Sequence, residues 1–420
     1  MKPIDFAVIR ARQLLTVGEG RNGPRRGAEQ RHIDVISNGA LVASGGRIVA
    51  VGPSAEIERD YDLSAAHVID AAGRVVMPGL VDCHTHPVFA GLRCEEYAEL
   101  LAGASKQEVV QRGGGIWHTV TETRAASQAE LERLLTGYLQ RMVRGGTTTV
   151  EAKSGYGLTA ETELLHLELL QRAADRLPLR IVPTFLGAHI VPRDQTAAAY
   201  ASEIVDNILP RVAAQGIARF NDVSTSPTTF PQPLASLMVG RGVELGLPAR
   251  IHTDGGVSSG GWRFAAEHGA ISADHLTFTP DEEIDAVGLT PTVATLIPPA
   301  ELYYRTARRA NARRFIEAGV AVAIATDFCS SIHYATLYHC IAFAAAWYVM
   351  TPEEVIASVT VNAAYALGMG ADVGTLAPGK FADLVVLDFA DYRMLAFAMA
   401  ASSIEQVAIG GQVVYSNGAS

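Results

Sequence analysis

Short apolar runs that end in polar residues recur through the middle of the chain, each followed by text of helical period. TTTVEAK precedes ETELLHLELLQRAADRL, and RIVPTFLGAH, ARFNDVS, ARIHTDG, AISADH, PTVATLI and VAVAIATD come after it in the same rhythm. Strand then helix, repeated this often, implies a parallel sheet, and over residues 76–370 the pattern predicts a closed (β/α)8 barrel of the TIM type. The two ends read differently. Residues 1–75 hold short strands broken by glycine, as in ALVASGGRIVAVG and HVIDAAGRVVM, and the tail 371–420 returns to such text in VGTLAPGKFADLVVLDFADY and VAIGGQVVYSNG. Two β segments flanking one barrel predict a small β-sandwich domain built from both chain ends.

Composition narrows the function classes. At 420 residues and 49% hydrophobic content the chain buries a large core, which excludes a disordered or fibrous protein. The formal net charge of -10 comes from interspersed charges without a basic stripe, so nucleic acid is not an expected partner. The start, MKPIDFAVIRARQLL, lacks a long apolar region, and no run approaches the roughly 20 residues that a membrane span needs. A cytoplasmic protein without a membrane partner is expected. Cys83, Cys94, Cys329 and Cys340 form no CxxC pair and read as free thiols in a reducing compartment.

The chemistry gathers at strand ends. In MPGLVDCHTHPVFAG, residues 77–91, alternate side chains share a face, so His84 and His86 project the same way. One HxH alone is equally well a polar strand end. However, RIHTD brings His252, ISADH brings His275 and VAIATD brings Asp327, each after an apolar run. Barrels of this kind gather their active residues at the C-terminal strand ends, so these side chains converge on one axis. Three or four imidazole nitrogens with a carboxylate suit Zn²⁺ or Fe²⁺ with a position left open for water.

Other residues take plainer readings. His166 in ELLHLELL lies at helical spacing and reads as a helix-surface or packing histidine; His32 and His67 lie in the β segment. His118, His333 and His339 fall near strand ends and stay open between pocket lining and surface. DEEID at 281–285 reads as a solvated helix face, and Trp117 and Trp262 either wall a planar ligand or pack in the core. The glycines of QRGGGIW and SGYG allow close backbone approach to a ligand, or are ordinary turns.

The set HTH, IHTD, ADH and ATD, with PGLVDCHTH before it and PGKFADLVVLD behind it, resembles the amidohydrolase superfamily of metal-dependent hydrolases. Within it, FAGLR, GGGI, KSGYGL and FLGAHIVP resemble the imidazolonepropionases, ring-opening enzymes of histidine degradation, across nearly the whole chain. The resemblance implies one metal ion per chain, zinc or iron (Fe²⁺ or Fe³⁺), held by His84, His86, His252 and Asp327. It implies catalytic acid/base roles for Asp327 and His275, and contacts from Arg93, Tyr156 and His189 to a small-molecule substrate bearing a carboxylate, in a homodimer. The planar fork of Arg93 suits such a carboxylate. Lys153 raises a second possibility, because a strand-end lysine becomes carbamylated and bridges two metals in related hydrolases.

The chain also departs from that pattern. Where the family reads HADE this chain reads HTDG, with Gly255 in place of a glutamate; where it reads DFNPGS this chain reads DFCSSIHYA, with Cys329 in place of asparagine. FNDVSTSPTTF diverges as well. The carboxylate-binding end is kept and the ring-facing end is changed. Opening a ring by attack at C2 requires a proton for the departing nitrogen, and loss of the glutamate weakens that step, whereas sulfide leaves readily. The expected activity is therefore desulfhydration of 3-(5-oxo-2-thioxoimidazolidin-4-yl)propionate. The second reading is opening of 4-imidazolone-5-propanoate to N-formimino-glutamate, with His275 or a water supplying the proton. A barrel that only binds a ligand is disfavoured, because the implied ligand set and Arg93 are intact.

Overall fold

The computed structural model describes residues 4–18, 22–399 and 403–418. Eight parallel strands, Leu80–Asp82, Thr147–Lys153, Arg180–Ala188, Phe220–Ser224, Ala249–Thr253, Ser272–His275, Val293–Leu296 and Val322–Ile324, pair in sequence order. A parallel bridge between Thr85 and Phe328 brings the last strand back to the first, and Thr326 donates to the Asp82 carboxylate from its backbone nitrogen at 3.2 Å and its hydroxyl at 2.6 Å. Such strands are covered on both faces, by the barrel interior and by helices, which is why Thr147–Lys153 is buried at every position.

The helices follow their caps and stripes. Ser127 caps Gln128–Arg144, accepting from the Glu130 nitrogen, and the helix buries Leu131, Leu135, Leu139 and Met142 along one face. Each such side chain contributes about 1.5–3 kcal/mol on leaving water. Thr159 caps Ala160–Arg176, whose inward stripe of Glu163, Leu167, Leu170 and Ala173 also takes in His166. His166 is thus a packing histidine. Three short helices, Cys94–Leu101, Lys106–Gln111 and Ile116–Ala125, lie between the first and second barrel strands and carry Arg93 at their start. Among the described residues no helix is long and apolar enough to cross a membrane.

The chain ends build a second, mainly antiparallel sheet. Its strand Phe6–Leu15 pairs with Val35–Ser44 on one side and with His67–Asp70 and Val75–Pro78 on the other, and Val75–Pro78 pairs with Leu384–Leu387. One apolar cluster draws Phe6, Val8, Leu41, Val76, Leu384 and Val386 together, so strands from both termini share a core. That is the small β structure from both chain ends expected beside the barrel, with its strands joined in one sheet.

The run VVMPGLVD, which reads as one strand, is two. Val75–Pro78 belongs to the outer sheet and Leu80–Asp82 to the barrel. Gly79 makes the crossing, where an added Cβ would lie 2.2 Å from the Thr148 hydroxyl oxygen. His84 and His86 nonetheless keep the alternation of an extended chain, because the His86 nitrogen donates to the Phe328 carbonyl at 2.8 Å and the Asp327 nitrogen to the His84 carbonyl at 3.0 Å. Gly79→Ala should lower stability by about 1–3 kcal/mol through overpacking against Thr148. Chemical denaturation checks this, and an unchanged midpoint would contradict the close crossing.

Candidate metal centre and substrate cavity

At the C-terminal mouth of the barrel four donor atoms converge. The Nε2 atoms of His84 and His86 are 3.3 Å apart, those of His86 and His252 3.4 Å apart, and Asp327 Oδ1 lies 3.3 Å from His86 Nε2 and 3.6 Å from His84 Nε2. Four ligands around a tetrahedral centre with bonds of 2.0–2.1 Å are separated by about 3.3–3.4 Å. His84 Nδ1 bonds to Asp274 at 2.7 Å and His252 Nδ1 to Asp222 at 2.9 Å. A carboxylate only accepts, so each Nδ1 carries the proton and each Nε2 turns a bare lone pair toward the shared centre. Burial first, and neighbouring positive groups next, hold His84 and His86 well below the ordinary imidazole range, so both are neutral. Lone pairs crowded in this way repel unless a cation sits among them. The residues therefore fit a metal ion.

Buried cations hold the supporting carboxylates. Lys153 Nζ donates to Asp222 at 2.7 Å and to Glu151 at 2.5 Å, and Arg250 Nη2 donates to Asp274 at 3.0 Å. Burial lowers the Lys153 pKa, but Asp222 and Glu151 more than offset it, so the ammonium stays charged. A carbamylated lysine needs a neutral amine, and that alternative finds no support here. Asp222, Asp274 and Glu151 escaped sequence reading; Asp274 sits next to His275 in ISADH, and Asp222 lies in the middle of the strand FNDVS.

His275 stands beside the cluster, its ring 5.2 Å from that of His84 and 5.3 Å from that of His252. Burial pushes its pKa down to about 4, against the pull of Asp327. Arg93, Tyr156, His189, Gly255 and Cys329 line the same cavity as the cluster, of about 350 Å³. The His189 ring stacks on His86 at 4.9 Å, and its Nδ1 meets the Gly155 carbonyl at 3.1 Å. Burial raises the Tyr156 phenol well above its ordinary pKa, so it remains a donor. Burial also raises the Cys329 thiol to about 11.

Two further carboxylates organise this wall. Glu163, buried on its helix, accepts from the backbone nitrogens of Gly155, Gly157 and Leu158, each at 2.8 Å, and so fixes the loop that carries Tyr156. Gly155 has φ +112°, and a Cβ there would approach the Leu186 carbonyl oxygen to 2.9 Å. Glu96 accepts from Arg93 Nε at 2.9 Å and from the Gly115 nitrogen at 3.0 Å, which ties the arginine to the glycine loop. The histidines left open resolve outside the cavity: His333 packs on Phe328 and meets Arg141, and His339 bonds to Thr336. His118 rides the helix Ile116–Ala125. Trp262 is core, edge-on to Phe315, and Trp117 lies under the Arg193 guanidinium.

Comparison with known proteins gives a consistent picture. The amidohydrolase family model matches residues 240–414. Over its whole length the chain is 42% identical to the imidazolonepropionase of Symbiobacterium thermophilum, covering 100% of this chain and 99% of that one. It is 41% identical to that of Chloroflexus aggregans, covering 99% and 100%. Among solved structures, a triazine hydrolase variant has a TM-score of 0.74 at 18% identity, covering 98% of this chain and 94% of that one. E. coli guanine deaminase has a TM-score of 0.73 at 17% identity, covering 98% and 100%. At such identities the likeness speaks for the fold alone.

The full-length relatives overturn the expectation of a desulfhydrase. That expectation rested on a proton donor lost with the glutamate at Gly255. A Cβ at Gly255 would lie 3.4 Å from His275, so an imidazole already occupies the ring-facing wall at that point. The reaction end is altered but retains a titratable group.

Metal content tests the centre directly. His84→Ala and Asp327→Ala should each lose stoichiometric metal by elemental analysis, and Asp222→Asn should weaken metal binding by roughly 10–100-fold, because it frees the His252 tautomer. His166→Ala should leave metal content unchanged. Full metal occupancy in the first two variants would remove the assigned centre.

Proposed function

The chain belongs to the imidazolonepropionase family of the amidohydrolases, and from that premise we propose that it is a cytoplasmic, metal-dependent hydrolase that opens 4-imidazolone-5-propanoate to N-formimino-glutamate. The observation that carries this reading is the shared cavity, in which His86, His252 and Asp327 line the same space as Arg93 while His84 Nε2 lies 3.3 Å behind that of His86. The product named keeps both ring nitrogens on C2. The bond that breaks is therefore the lactam bond between the ring carbonyl and its neighbouring nitrogen, and water adds to the carbonyl carbon rather than to C2.

His84, His86, His252 and Asp327 would hold the metal, zinc or iron, which when bound would lower the pKa of a water toward neutrality and favour charge build-up on the carbonyl oxygen. Arg93, oriented by Glu96, binds the propanoate through its Nη pair. Tyr156 and His189 hold the substrate from the wall that Glu163 and the Gly155 carbonyl organise. Asp327 accepts the proton of the attacking water, and His275 manages the proton that the departing ring nitrogen takes up, since an amide anion is a very poor leaving group. In this chain His275 carries that role without the loop glutamate.

The decisive assay is incubation of metal-replete protein with 4-imidazolone-5-propanoate, following loss of the ring and appearance of formimino-glutamate. Absence of turnover by fully loaded, folded protein would sink the reading. Arg93→Ala should chiefly raise KM, by roughly ten- to a hundredfold, because a charge-assisted contact is worth about 1.5–3 kcal/mol. A KM unchanged in that variant would put the propanoate elsewhere.

A further inference from the structure

Beside the catalytic cavity lies a second one of about 530 Å³ that the proposed reaction does not use. Gly255, Gly256, His275 and Tyr304 border both, so the two adjoin across the turn that follows Asp254. A Cβ at Gly256 would meet nothing within 4 Å, and one at Gly255 would meet only His275. Neither glycine has a positive φ, so the backbone does not demand glycine at either position. Gly255 and Gly256 therefore project no side chain into the border that the two cavities share. Its rim is held in place: Asp254 accepts from the Ser259 nitrogen and hydroxyl, each at 2.8 Å, and from the Thr279 hydroxyl at 2.8 Å.

The walls of this chamber specify a class of ligand. Leu100, Ala104, Phe278 and Ala300 are apolar, and the Tyr303 ring stacks on Tyr97 at 5.0 Å. Two of the polar side chains bond within the protein. Glu301 accepts from the Thr277 hydroxyl at 3.1 Å, the Ala310 nitrogen at 2.8 Å and Trp347 Nε1 at 2.7 Å, while the Thr306 hydroxyl donates to the Arg308 carbonyl at 2.8 Å. The Tyr303 hydroxyl is buried with no partner among the described residues. Arg305 also lines the chamber, exposed and donating to the Leu100 carbonyl at 3.3 Å, while the apolar walls suit an uncharged alkyl or aromatic group.

We propose that the chamber is a substituent pocket. Resting on the ring-opening reading above, the chain accepts 4-imidazolone-5-propanoates whose ring nitrogen carries an uncharged alkyl or aryl group. The group passes Gly255 and Gly256 while the propanoate stays on Arg93.

The test compares kcat/KM for 4-imidazolone-5-propanoate with that for its two N-benzyl isomers. It uses the wild type and two variants, Ala104→Phe and Ala300→Leu, which narrow the chamber from walls that do not border the catalytic cavity. The wild type should open one benzyl isomer within about tenfold of the parent compound, and each variant should keep the parent within about twofold while losing at least about tenfold on that isomer, mainly in KM. Two results overturn the pocket: a wild type that opens the parent but neither turns over nor is inhibited by either isomer, or folded variants that lose both substrates equally. If Ala300→Leu fails to fold, Ala104→Phe decides, since Ala104 lies half-buried between two helices, outside both. A wild type that opens no imidazolone at all overturns the pocket together with the reading beneath it, and the parent-substrate arm distinguishes that case.

Discussion

Two buried carboxylates, Asp222 and Asp274, each grip an imidazole on one side and a cation on the other, and the catalytic mouth depends on this arrangement. Lys153–Asp222–His252 and Arg250–Asp274–His84 run side by side with no side-chain exposure except at His252, and Glu151 lies between them, 2.5 Å from Lys153 and 3.8 Å from Arg250 Nε. Burying such charges is costly, and removal of one partner leaves an uncompensated charge at about 3–5 kcal/mol. What the arrangement secures is the tautomer of two histidines, each with its proton on Nδ1 and its lone pair facing the centre. Lys153 and Arg250 against Asp222, Asp274 and Glu151 leave one negative charge, and Asp327 adds another. A dication among the imidazoles brings the network to neutrality.

The barrel supplies the frame in which these chains meet. Asp222, His252 and Asp274 sit on three successive strands, His252 pairing with Asp274 on one side and with Ser224 on the other, while Asp222 pairs with Arg250, two residues earlier. Backbone bonds between the His84–His86 segment and residues 327–328 close the circle at the level of the donor atoms. The candidate substrate residues Arg93 and Tyr156 lie on loops, and each loop is disciplined by one carboxylate: Glu163 for the turn carrying Tyr156, and Glu96 for Arg93 with the Gly115 loop. The loops thereby acquire some of the precision of the strands.

Much of this was legible in the sequence, for a definite reason. His84, His86, His252, His275 and Asp327 each interrupt an apolar run at a strand end, and polar interruptions of buried strands stand out against their surroundings. Of the supports, Lys153 stood out only as a candidate metal bridge, and Asp222 and Glu163 did not stand out, because they look like ordinary surface charges until tertiary contacts bury them. Gly79 divided what reads as a single strand, since only the approach of Thr148 reveals the crossing. The substrate expectation failed at Gly255 for a related reason. A lost side chain was weighed by itself, although His275, twenty positions on in sequence, faces the same space.

The central claim is that this centre directs water at the lactam carbonyl of 4-imidazolone-5-propanoate. Single-turnover reaction in ¹⁸O-labelled water, with the product analysed by mass spectrometry and ¹³C NMR, tests it most directly. The account predicts one ¹⁸O in the newly formed α-carboxylate of formimino-glutamate, with both nitrogens still on the carbon that was C2. Label on that C2-derived carbon, or a ring left closed, would contradict it.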